Sequence, residues 1–133
     1  MALTQDRNTP SRAGDLISVP MAAGATIYAG AMVVANASGF AAPGTTATGL
    51  TYLGRAESAE NNIDGSDGDI VMQVRRGCAF QFKNDGSDPV TQASLGKACY
   101  IVDDETVAAT NGSSTRSAAG TVIAVGADGV WVE

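Results

Sequence analysis

The chain has 133 residues, eight Lys plus Arg against fourteen Asp plus Glu, a net charge of −6 and a pI near 4.4. That length suits a single domain, and so acidic a chain offers no basic patch to neutralise phosphates, which argues against nucleic-acid binding. Hydrophobic residues make up 44%, but 23 of them are Ala and only 26 are Leu, Ile, Val or Phe, so a thin core is expected and burial against neighbours is favoured.

Residues 1–15 are polar, with Pro10, Ser11 and Gly14 and no periodicity. They read as an extended N-terminal arm preceding a single β-domain over 16–133. The start of the chain has no apolar stretch of the secretory type, so no signal peptide is expected. No apolar run approaches the roughly 18 residues of a spanning helix, so no membrane span is expected.

A first strand is predicted over 16–19, ended by Pro20, with a turn at Ala22, Ala23 and Gly24. Residues 26–35 are strand-like with Gly30 in the middle, which predicts a bulge or tight bend. After a turn at 36–39, a short strand restarts at Phe40 and a small-residue loop fills 43–49. A strand over 50–56 leads into a long acidic loop, 57–69. In 70–75, Ile70, Met72 and Val74 alternate with Val71, Gln73 and Arg75, the period of two that marks a strand with one apolar face. Phe80 and Phe82 alternate likewise with Gln81 and Lys83. Residues 84–89 are dense in turn formers, and 91–95 predict one helical turn stopped by Gly96. From there strands are predicted over 97–102, 106–109, 121–125 and 130–133, with turn residues between them at intervals of about ten. The pattern predicts an all-β fold, a compact barrel or jelly-roll-like sandwich of roughly eight to ten short strands.

The chain contains no histidine, which removes the commonest general base, metal ligand and partner of a nucleophilic Ser or Cys. With only Lys83 and Lys97 available, a Ser–Lys mechanism has few candidates, and no enzyme is expected. The remaining enzymatic route would be paired carboxylates. Asp64, Asp67 and Asp69 place oxygens at intervals suited to Ca²⁺, but Arg75 stands where a calcium loop of the helix–loop–helix type needs its bidentate Glu. A solvated acidic loop is the expected reading, with no metal and no cofactor. Cys78 and Cys99 each fall within a predicted strand and read as reduced core residues. The adjacent Arg75 and Arg76 either pair with acidic groups across an interface or are strand-end surface charges. Asn111, Gly112 and Ser113 match a glycosylation triplet that has no expected meaning here beyond a turn. Trp131, the only Trp, reads as a core or subunit-interface plug.

The strings VRRGCAFQF (74–82), LGKACYIVDDETVAAT (95–110) and TRSAAGTVIAVGADGVWVE (115–133) carry a resemblance. Over residues 17–133 the chain resembles a family of small structural proteins of tailed-bacteriophage heads, the capsid cement or decoration proteins. The resemblance implies a viral structural protein that binds the outer face of an icosahedral head and bridges major capsid subunits as a homotrimer or homodimer. It implies residence on the capsid exterior of the virion after synthesis in the host cytoplasm. The acidic charge fits a position away from packaged DNA. A second reading within the virion is a head-fibre base or a tail-associated binding module. The family's motifs transfer no binding residue. On physical grounds the arm is the expected partner-binding element, through Thr4, Gln5, Arg7 and Arg12, because an extended segment can add its backbone to an exposed sheet edge.

Overall fold

The computed structural model describes residues 1–133. It is all-β, as the spacing of apolar runs and turn residues requires, but with twelve strands rather than eight to ten. Five of them form a sheet: β1 (Leu16–Pro20), β3 (Met32–Ala35), β4 (Ala41–Pro43), β5 (Thr51–Ala56) and β7 (Val71–Arg75), in the order β1-β7-β5-β3-β4. All their pairings are antiparallel. Two two-residue strands, β2 (Thr26–Ile27) and β6 (Glu60–Asn61), pair with each other. The remaining five, β8 (Phe80–Asn84), β9 (Ala98–Ile101), β10 (Thr106–Ala108), β11 (Ala118–Gly126) and β12 (Gly129–Val132), close into a barrel in the order β10-β8-β12-β11-β9. Its one parallel pairing joins β8 to β10. A single 3-10 turn, Gln92–Ser94, precedes Gly96.

Two differences in the strand pattern have local causes. The stretch 26–35 is not one strand bulged at Gly30. Gly30 adopts φ +85° in a turn stabilised by the Ala31 N–H donating to the Tyr28 carbonyl, which separates β2 from β3. The loop 57–69 contains β6, because Thr26 and Ile27 supply a partner for Asn61 and Glu60 that lies more than thirty residues away in sequence.

There are two hydrophobic cores, and β3 serves both. Met32 and Val34 belong to the barrel core with Phe80, Phe82, Val90, Cys99, Ile101, Val107, Val122, Val130 and Val132. Val33, between them, belongs to the sheet core with Val19, Met21, Ile27, Met72 and Val74. All three β3 residues are fully buried. Successive side chains of a strand point to opposite faces, so this one short apolar run forms the wall between the cores. The alternation in β7 and β8 has the same origin. Met72, Val74, Phe80 and Phe82 turn inward, while Val71, Gln73, Gln81 and Lys83 face solvent.

β5 reaches its partners only through a bulge, with Leu53 as the extra residue between the Val33–Gly54 and Val34–Tyr52 pairs. There Gly54 adopts φ +148°, and a Cβ on it would collide with the Arg75 carbonyl of β7. Glycine is required at this position because backbone meets backbone.

Candidate interaction surfaces

The polar segment before β1 carries no regular structure, and every residue from Met1 to Leu16 is exposed. Its fixed point is Asp15. The Asp15 carbonyl accepts the Arg76 N–H at 2.8 Å, and its carboxylate lies 3.6 Å from the Arg75 guanidinium. Of the four arm residues singled out from the sequence, Thr4 and Gln5 sit in a bend, and Arg7 donates to Thr9 Oγ1 at 2.8 Å within the arm. Arg12 has no ion-pair partner. The structure does not gather these four into one cluster on the domain surface. The arm leads directly into the edge strand β1, whose only strand partner is β7. The Arg76–Asp15 and Met21–Ile70 bonds fix which residues bond to β7. By the alternation of an antiparallel ladder, the backbone groups of Leu16 and Ser18 therefore point away from it. Pro20 has no N–H to offer on that free edge, the usual position of Pro in a sheet.

Arg75 is paired within its own chain. It approaches Glu57 at 3.3 Å as well as Asp15, while Arg55 binds the same Glu57 at 2.6 Å. Arg55 and Arg75 stand opposite each other in the β5–β7 ladder, so Glu57 neutralises a like-charge pair. The Arg55 hydrogen bond, then that from Arg75, holds the Glu57 carboxyl below its ordinary range. Arg55 also lies 4.8 Å over the Phe80 ring, linking sheet to barrel. Arg76 has no ion pair and lines a cleft of about 280 Å³ with Tyr52, Leu53, Gly54, Gly77, Cys78, Phe80 and Glu133.

The two cysteines part company. Cys99 is buried in β9, and desolvation pushes its thiol up to about 12. Cys78 lies outside any strand and is exposed, because Gly77, at φ +78°, turns the chain between β7 and β8. It is therefore not a core residue. Trp131 is not a core residue either. It lies on β12 with its side chain on the outside of the barrel, 42% exposed.

The Asp64–Asp69 loop is organised by protein groups. Asp67 Oδ1 accepts the Ala23 N–H at 2.8 Å, and Asp69 Oδ2 accepts the Ser66 N–H at 2.8 Å. The buried Asn62 donates to the Ala22 and Ser66 carbonyls, both at 3.0 Å. A second polar knot is centred on Asp88. Its carboxylate accepts the Thr110 hydroxyl at 2.6 Å, the Thr110 N–H at 3.0 Å and Arg116 Nη1 at 2.9 Å. These bonds, the Thr110 hydroxyl's first, hold the Asp88 carboxyl below its ordinary range. The knot braces a turn in which Gly112, Ser113 and Ser114 all have positive φ, between 61° and 68°. Nothing in the sequence marked Asp88 and Arg116 as partners, since 28 residues separate them.

Besides that cleft there are two more, of about 270 and 230 Å³, the first lined by Tyr28, Ala29, Gly30, Ala31, Asp104 and Glu105. All three fall below the usual size of small-molecule sites. No three His, Cys, Asp or Glu side chains converge in a metal-binding arrangement. No family model, curated protein or solved structure matches the chain. The exposed features described above are the N-terminal arm and the free edge of β1.

Proposed function

We propose that this chain is a capsid cement protein, a viral structural component that binds the outer surface of a tailed-phage head and bridges major capsid subunits. The observation that carries this reading is the arm. Residues 1–14 precede the edge strand β1 and are exposed throughout, with Met1 and the 72%-exposed Leu3 near the tip. An extended segment in this position is suited to pairing with a sheet edge of a neighbouring shell subunit. Arg7 and Arg12 supply contacts to acidic groups there, and Thr4 and Gln5 supply hydrogen bonds. The resemblance of the strings at 74–82, 95–110 and 115–133 to head-decorating proteins supports the same reading, as does the small all-β domain. The protein acts as a non-enzymatic clamp. A symmetric oligomer, trimer or dimer, engages several shell subunits at once, and effective concentration turns weak contacts into firm retention.

The test is deletion of residues 1–14, which leaves Asp15 and its bonds in place. The truncated protein is expected to melt with the full chain and to lose retention on purified heads, while retention of the full chain falls as salt rises because salt screens Arg7 and Arg12. Equal decoration by the truncated protein refutes the arm's role. A count of hundreds of copies per virion is expected. A handful per particle points instead to a head-fibre base or tail-associated module.

A further inference from the structure

We infer that the outer face of β11 and β12 is a self-association surface that takes a second copy of this chain across a two-fold axis. The inference rests on the oligomer part of the reading above and names its surface. The face is created by a bulge. Val122 pairs with Val132 and Ala124 with Trp131, so Ile123 is an extra residue on β11. A regular strand would turn one of Ile123 and Ala124 inward. The bulge leaves both outside, opposite Trp131. Ile123 is 44% and Trp131 42% exposed, and the 47%-exposed Leu95 precedes Gly96, whose N–H donates to the carbonyl of Val122, the neighbour of Ile123.

Charge selects the occupant. Neither β11 nor β12 contains a charged residue, in a chain whose net charge of −6 makes copies repel. A cationic partner would be drawn to the acidic loops, not here. Two equal copies meet at least cost where charge is absent. Lys97 and Glu133 flank this face at the same end of β11 and on opposite sides of it. The Lys97 carbonyl accepts the Val122 N–H on one side, and Glu133 exchanges both backbone bonds with Thr121 on the other. Neither side chain has an ion-pair partner within its own chain. A two-fold axis running along β11 sets Lys97 of each copy against Glu133 of the other, the reciprocal pattern of a symmetric interface. An aromatic and aliphatic centre with a polar rim is the usual anatomy of such a contact.

Sedimentation equilibrium of the full chain at tens of micromolar tests this. A dimer is expected. Ile123→Lys places a charge at the centre on an already exposed side chain. It is expected to weaken the dimer at least about tenfold with unchanged far-UV circular dichroism, and to lower melting only by the stabilisation the dimer contributed. Lys97→Glu and Glu133→Lys are each expected to weaken it roughly three- to tenfold, and the double exchange to restore it. A monomeric wild type overturns both this surface and the oligomer reading. A trimer, or an oligomer indifferent to Ile123→Lys, overturns the surface and leaves the oligomer reading standing. Failure of the double exchange to restore affinity overturns the two-fold pairing. Loss of head binding by Ile123→Lys with self-association intact overturns the proposal and assigns the face to the shell.

Discussion

Because β3 walls both cores, damage to either is expected to bring down the whole β-domain, and Val33→Ala tests this. Val33 is fully buried and packs in the sheet core, on the opposite face from Met32 and Val34. Removing two carbons costs roughly 1.6 kcal/mol in transfer free energy at about 0.8 kcal/mol per carbon. The residual cavity raises the loss to about 2–3 kcal/mol. For a chain of this length each kcal/mol shifts the melting temperature by about 3–5 °C, so a fall of roughly 6–15 °C is expected. Trp131, the only Trp, lies on the outer face of the barrel, on β12, and reports on that half of the chain and on its outer face. Its fluorescence transition is expected to move down with the far-UV circular dichroism transition, in one cooperative step. Met32→Ala, acting from the barrel side, is expected to cost about 2–5 kcal/mol and to shift the same single transition. The reasoning fails if Val33→Ala lowers the dichroism transition while the Trp131 transition stays where it was. The two cores would then be separate cooperative units.

Four further outcomes are expected. Gly54→Ala forces a side chain into φ +148° and onto the Arg75 carbonyl; a loss of at least about 2 kcal/mol in urea unfolding is expected. Ser114→Gly relieves a non-glycine residue at φ 68° and is expected to stabilise the chain by up to about 1 kcal/mol in the same assay. A thiol reagent at neutral pH is expected to modify the exposed Cys78 rapidly and the buried Cys99 only on unfolding, giving one fast equivalent in native protein and two in denaturant. Glu57 and Asp88 have folded pKa values below their unfolded ones. Their contribution is therefore complete above the unfolded carboxylate value near 4 and is lost as pH falls through the folded values. Asp104, raised by burial and then by Asp103, has the opposite sign and is relieved by acid. Asp88→Asn is expected to flatten the acid limb of the stability profile, and an unchanged limb would show that the Asp88 knot contributes nothing there.

The contrast between Val33 and Trp131 shows what each level of description supplied. Sequence by itself determined the strand class. The period-two placement of Ile70, Met72 and Val74, and of Phe80 and Phe82, depends only on how a β-strand points its side chains. The turn residues around them depend only on local backbone preference. The exposure of 1–15 was legible for the same reason, because the stretch is mostly polar and has no periodic apolar face. Strand partners were not legible. The β2–β6 pair, the division of β3 between two cores and the Asp88–Arg116 contact each join residues far apart in the chain or on opposite sides of one strand. No local preference encodes which neighbour is met there. The exposure of Cys78 was missed on the same grounds. It sits beside strand-forming residues, and only the turn at Gly77 places it outside. The Ile123 bulge is the extreme case. It has no mark in the string TVIAVG, because a bulge is a mismatch in length between two strands and exists only once β12 is paired with β11.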